Sequence, residues 1–175
     1  MPFEAIYREH FAFVWRSLLR MGVAERDAAD AAQEVFMVAY QRQDSFDATR
    51  SLRAWLFGIA YRVAARRRRL ASSRLEVLVD TENEAATATE PAQQTELREL
   101  LQRGLDALPL EQRAVLILFE LEGFSGEEIA ALLNLPEGTV RSRLRLARSG
   151  FSRAVRRANA AGSASSQLEA AHDRS

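Results

Sequence analysis

Apolar residues recur at three- and four-residue steps along most of the chain, the spacing of helices that each bury one face. Phe3, Tyr7, Phe11, Val14, Leu18 and Met21 form the first stripe, and Gly22 ends it. In the next stretch, DAADAAQEVFMVAY, residues Ala28, Ala32, Val35, Phe36, Ala39 and Tyr40 fall inward. Asp27, Asp30, Gln33 and Glu34 fall outward, and the acids from Glu25 onward favour the positive end of the helix dipole. The pattern breaks across QRQDSFDATRS, a polar loop anchored by Phe46. It resumes at Leu52 and continues through Trp55, Leu56, Ile59, Val63 and Leu70, with the arginine run Arg66 to Arg69 near the helix end. From Leu75 to about Ala92 no apolar period survives, and the acidic, threonine- and alanine-rich composition predicts a linker. Helical spacing returns near Gln94 through Leu97, Leu100, Leu101, Leu105 and Leu108. Pro109 then opens a helix where its missing N–H is harmless, Val115, Leu116, Leu118 and Phe119 fill it, and Gly123 stops it.

The clearest local signal is FSGEEIAALLNLPEGTVRSRLRLARSGF, from Phe124 to Phe151. Ser125 and Glu128 form a capping box, with Phe124 and Ile129 placed as a hydrophobic staple. Asn134 and Pro136 interrupt the apolar register, and a second helix follows with Val140, Leu144, Ala147 and Phe151 on one side. Arg141, Ser142, Arg145 and Arg148 lie on another side. Two short helices joined by a tight turn, the second one basic, are the pattern of a helix-turn-helix whose second helix enters a major groove. A helical hairpin with a solvated arginine face is the bland alternative. It is disfavoured because cap, turn, register and charge all agree. At about 100° per residue, Arg141 and Arg145 stand about 40° apart, and Arg143 is turned toward the Val140 side. Residues near the start of a recognition helix reach base edges, which makes Arg141 the candidate for a guanine, with Thr139 and Ser142 beside it. Arg145 sits deeper along the groove, Arg148 is expected at the phosphate backbone, and Arg143 at a phosphate or in a structural role.

Charge distribution sharpens this picture. The net charge is zero, yet Gly138 to Arg157 holds seven arginines and no acid, and Arg62 to Arg74 six arginines and no acid. Leu75 to Glu99 carries seven acids against Arg98 alone. Two basic blocks separated by an acidic connector suit two contacts with a polyanion. Every basic side chain of that kind is arginine, and Trp55, Phe57 and Tyr61 lie beside the first block, as on surfaces that stack single-stranded bases. The absence of cysteine excludes disulfides, thiolate catalysis and cysteine-bound zinc. Short apolar runs and charges near the N-terminus predict no signal peptide, no membrane insertion and a cytoplasmic address. With no lysine-bearing phosphate loop, no HExxH motif and only His10 and His172 as neutral bases, no enzyme, metal or cofactor is expected.

Three motifs, in this order, resemble the extracytoplasmic-function group of sigma factors, small bacterial transcription initiation factors. They are Asp27 to Phe36, the segment Trp55 to Ala60 entering the arginine run, and the series Leu105, Leu108-Pro109, Arg113, Gly123, Ser125, Glu128 to Ala130 and Gly138 to Arg143. The resemblance implies an all-α fold of two small helical domains, the second a helix-turn-helix, joined by a flexible acidic linker. The expected bounds are 1–74, a linker at 75–96, 97–157, and a disordered tail at 158–175. It implies that the acidic face of Asp27, Asp30, Gln33 and Glu34, which spacing alone would assign to solvation, docks on core RNA polymerase (beta and beta-prime subunits). It implies that the loop Asp44 to Ala54 and the next helix melt and hold the −10 promoter element, through Phe46, Trp55, Tyr61, Arg62, Arg66 and Arg67. The helix beginning near Pro136 would read the −35 element, and an anti-sigma factor is a possible partner.

The chain departs from the family pattern at Arg62 and Arg66, where polar or acidic residues are common, at Leu146, where a basic residue is common, and at Ala31 and Ala32, which replace larger aliphatics. A two-domain helix-turn-helix regulator would explain Ser125 to Phe151 equally well. It would not explain the Asp27 to Phe36 motif together with the arginine-aromatic helix.

Overall fold

The apolar stripes close into two helical domains that touch along one face. The computed structural model describes residues 3–75 and 92–172, with side chains from 3 to 71 and from 94 to 161. The first domain is built from α1 (Phe3–Arg20), α2 (Glu25–Gln41) and α3 (Leu52–Leu75), which pack on one another. The second is built from α4 (Ala92–Asp106), α5 (Leu110–Leu116), α6 (Gly126–Leu133) and α7 (Glu137–His172), with α4, α5 and α6 all packed against α7. Most of the predicted linker lies outside the described residues, and α4 begins at Ala92, inside the stretch expected to be linker. At the other end α7 continues to His172, through residues the sequence placed in a tail without structure.

In the first domain the core is Val14, Leu18 and Met21 of α1, Ala28, Ala32, Val35 and Ala39 of α2, and Leu56, Phe57 and Ile59 of α3. Ala31 and Ala32, which stand where larger aliphatics are common, are both fully buried. Gly22, at φ +87°, turns the chain out of α1 in a conformation that a β-carbon would strain. Four predicted core positions prove exposed, Tyr7 by the narrowest margin. Tyr40 is 57% exposed because its ring lies edge-on to Phe3 at the rim of the helix pair, 5.1 Å between centroids, instead of between the helices. Leu70 of α3 and Leu97 of α4 are also more than half exposed. Phe13, one residue from the predicted stripe, is buried in its place.

In the second domain Pro109 is the N-cap of α5. Ala114 to Leu118 are all buried, a run too long for one face of an α-helix. The chain accommodates it by widening into a π-helical turn over Ile117–Leu121, closed by Glu122 N donating to Ile117 O at 3.0 Å. Gly123 at φ +74° then reverses direction into α6. Phe151 of α7 packs where a side chain on Gly104 of α4 would stand, since a β-carbon there would lie 2.4 Å from its ring.

Candidate nucleic-acid interface

The helix-turn-helix forms for the local reasons its sequence suggests. Ser125 caps α6: its hydroxyl accepts from Glu128 N at 3.2 Å, and the Glu128 carboxylate accepts from Ser125 N at 2.7 Å. These bonds, the backbone one first and the side-chain one second, hold the Glu128 carboxyl below its ordinary range. Asn134 ends α6 in the left-handed region, φ 53° and ψ 55°, which asparagine tolerates better than most side chains. Pro136 then precedes α7, whose first turn is closed by Thr139 N and Val140 N donating to Pro136 O.

Within α7, Val140, Leu144 and Ala147 are buried, while Arg141, Ser142 and Arg145 are exposed together on one face. Among the described residues, neither Arg141 nor Arg145 takes part in an ion pair. Thr139 and Arg143 are half-buried at the sides of that face. Arg148 behaves differently. Seven residues after Arg141 it is turned back by about 20°, toward the Leu144 side. There its Nε donates to Glu120 Oε1 at 2.7 Å and its guanidinium sits 5.2 Å from the Phe119 ring centre. Leu146 is exposed on the other flank of the helix.

The residues expected at the −10 element lie along α3 and the loop before it. Asp47 shapes that loop by accepting from Thr49 N at 3.0 Å and Thr49 Oγ1 at 2.6 Å, which lowers its own pKa. Phe46 packs on Trp55 with ring centres 4.9 Å apart. Both are half-buried, whereas Phe57, which the sequence set beside the arginine block with Trp55 and Tyr61, is fully buried in the core. Tyr61 is half-buried, and burial raises its phenol pKa, with Glu111 acting in the same direction and Arg143 against it. Arg62 is exposed. Arg66 and Arg67 both reach the Glu34 carboxylate of α2, Arg67 at 3.3 Å.

That pairing divides the residues expected to dock on polymerase. Asp30 and Gln33 are exposed and Asp27 is half-buried at the start of α2, but Glu34 spends both oxygens on α3. The sequence reading missed an apolar patch beside Gln33, made by Phe3, Tyr7, Phe36, Met37 and Tyr40 around a cavity of about 320 Å³. Its signal was present: Met37 follows Asp30, Gln33 and Glu34 at helical steps, on the face read as wholly polar.

Charged groups between the domains were missed too. Arg113 is 2% exposed and donates to Asp106 Oδ1 at 2.8 Å and to Leu108 O at 3.2 Å. Burial pushes its pKa down, and Asp106 opposes that. Glu122 accepts from Arg20 and Arg53, both of the first domain. Among the described residues no group of three or more His, Asp or Glu side chains could hold a metal ion, and no helix is long and apolar enough to cross a membrane.

Family comparisons divide the chain at the same place. Residues 6–74 match the family model for Sigma-70 region 2, and residues 98–149 match that for Sigma-70, region 4. The chain is 34% identical to the ECF RNA polymerase sigma-E factor of Escherichia coli (strain K12), covering 79% of each chain. It is 36% identical to the ECF RNA polymerase sigma factor SigL of Mycobacterium tuberculosis (strain ATCC 35801 / TMC 107 / Erdman), covering 82% of this chain and 83% of that one. Among solved structures it resembles the sigma factor RpoE in complex with the anti-sigma factor NepR from Bartonella quintana, with a TM-score of 0.70 at 25% identity over 88% of this chain and 96% of that one.

Proposed function

The chain belongs to the extracytoplasmic-function sigma factors of the sigma-70 family, and we propose how its surfaces divide the work of an alternative transcription initiation factor. Core RNA polymerase docks on the α2 face of Asp27, Asp30 and Gln33, with the apolar patch around Met37 and Tyr40 supplying buried area next to those polar groups. The loop and N-terminal half of α3 hold the melted −10 strand, where the Phe46 and Trp55 pair and Tyr61 offer rings to unstacked bases and Arg62 offers a charge to phosphate. The start of α7 reads the −35 element through Arg141, Ser142 and Arg145. Catalysis of bond making stays with the polymerase, and the factor acts in the cytoplasm. An anti-sigma factor is a further partner, supported by the likeness to a sigma factor solved in such a complex.

The observation that carries this reading is the open arginine face at the start of α7. The same residue type is internally paired at Arg66, Arg67, Arg113 and Arg148, but Arg141 and Arg145 are left for a ligand. Reconstitution with core polymerase over a promoter library tests it. Transcription from defined start sites that share two upstream elements is expected. Sequence-specific DNA binding without defined starts would assign the chain to helix-turn-helix regulation of another kind.

A further inference from the structure

The side of α7 turned away from its buried residues carries two stripes of different chemistry. At about 100° per residue, Arg141, Arg145 and Arg148 fall within about 60° of one another. Thr139, Ser142 and Leu146, at steps of three and four, fall within about 60° of one another on the other flank. Thr139 is half-buried, Ser142 is exposed, and Leu146 stands 45% exposed. A single exposed leucine is ordinary on a protein surface, and what sets Leu146 apart is its depth along the helix. It directly follows Arg145, about 1.5 Å farther along the axis, so a helix seated with Arg145 in a groove carries Leu146 in with it. Other exposed large apolar side chains have apolar company. Tyr7, Met37 and Tyr40 surround the cavity beside Gln33, and Leu121 lines a cleft with Leu101, Leu105 and Phe151. Along α7 the residues three and four steps from Leu146 are Ser142, Arg143, Ser149 and Gly150, so it belongs to no apolar stripe of that helix.

We propose that Leu146 reads a thymine of the −35 element by packing on its C5-methyl group. The inference rests on the assignment of α7 to that element given above. A major groove about 12 Å wide is filled by a helix about 10–12 Å across with its side chains, so both flanks of α7 meet the DNA. In that groove guanine offers acceptors, cytosine an amino donor and adenine one of each, whereas thymine adds an apolar methyl group to its acceptor. A leucine laid over any of the first three strips water from polar atoms without replacing their hydrogen bonds. Over thymine it removes apolar surface of both partners from water. One side chain thus attracts one base and penalises the others, which an arginine on this flank would not do. From Arg141 to Leu146 the helix rises about 7.5 Å, or about two base-pair steps. The thymine is therefore expected close to the guanine read by Arg141, with the Ser142 hydroxyl between them to donate or accept.

Core polymerase reconstituted with the full-length parent or with Leu146→Ala would be presented with duplexes randomised at the −35 element. Among the bases the parent selects, one thymine is expected that Leu146→Ala no longer prefers. Because Leu146 is exposed and alanine favours helix, the variant should keep its helix content. That thymine would then be replaced by deoxyuridine, which removes the methyl group and keeps the hydrogen-bonding edge. The replacement should weaken the parent complex about three- to fivefold, the effect of one buried methyl group, and the Leu146→Ala complex by less than about 1.5-fold. Thymine selection that persists in Leu146→Ala overturns the contact and leaves the leucine to a protein partner. Equal binding of thymine and deoxyuridine by the parent overturns it as well. Uniform weakening of every sequence in Leu146→Ala would put the side chain on the sugar–phosphate wall, again against the proposal. A parent that selects no −35 sequence at all refutes the assignment of α7 on which the contact rests.

Discussion

α3 and α7 are both arginine-rich helices, and they differ in what their arginines meet. Toward the end of α3, Arg66 and Arg67 turn back to Glu34 on α2, so much of their charge is used inside the domain. At the start of α7, Arg141 and Arg145 project from a helix whose other side is filled by Val140, Leu144 and Ala147. Farther along, Arg148 resembles the α3 pair, with Glu120 and Phe119 as its partners. An arginine run is therefore not a nucleic-acid footprint in itself. The footprint is the subset that the fold leaves without carboxylates, and it depends on azimuth around the helix and on what packs alongside.

The largest effect separating structural from ligand-facing arginines should come from Arg113. Arg113→Met removes charged hydrogen bonds from a buried position and should cost about 2–4 kcal/mol of stability, measured by urea unfolding. A loss under about 1 kcal/mol would mean that Arg113 is replaceable packing. Next is Glu34, where the expected loss is about 1 kcal/mol because its arginine partners are partly exposed. Releasing Arg66 and Arg67 in Glu34→Gln should also steepen the salt dependence of promoter binding by the polymerase complex, by about one to two in slope if they reach phosphates. An unchanged slope would confine the α3 pair to a structural role. The smallest effect belongs to the exposed cap of α6, where Ser125→Ala should cost about 0.5–1 kcal/mol. Glu128 adds a pH signature. Its carboxyl is lowered in the folded state, so its contribution is present above the ordinary carboxylate range and is lost as pH falls through the lowered value. Acid titration of unfolding should therefore be less steep in Glu128→Gln, which removes the titrating carboxyl, than in the parent, and parallel curves would show that the box contributes nothing.

The parts of this molecule that sequence could reveal are those set by near neighbours along the chain. The capping box needs only Ser125 and Glu128, the αL stop only Asn134, and the buried side of α7 only the spacing of Val140, Leu144 and Ala147. The three motifs were likewise contiguous enough to point to the family. Pairings across helices were not readable in this way. Glu34 was placed on a docking face because its partners lie 32 and 33 residues away, and Arg148 was assigned to phosphate because Glu120 lies 28 residues before it. Glu122 finds Arg20 across 102 residues, a contact that no periodicity encodes. Tyr40 and Leu70 carry the right period and are still more than half exposed, because burial depends on what packs over a position and not on period alone.

The division between open and internally paired arginines is tested most directly by one binding measurement. Polymerase reconstituted with the parent, with Arg141→Ala or with Arg148→Ala would be presented with promoters randomised at the −35 element. Arg141→Ala should cost roughly 1–3 kcal/mol and relax preference at one −35 position, while Arg148→Ala, whose side chain is held by Glu120, should leave the preferred sequence unchanged. A change of preferred base in Arg148→Ala, with Arg141→Ala weakening all sequences equally, would contradict the account.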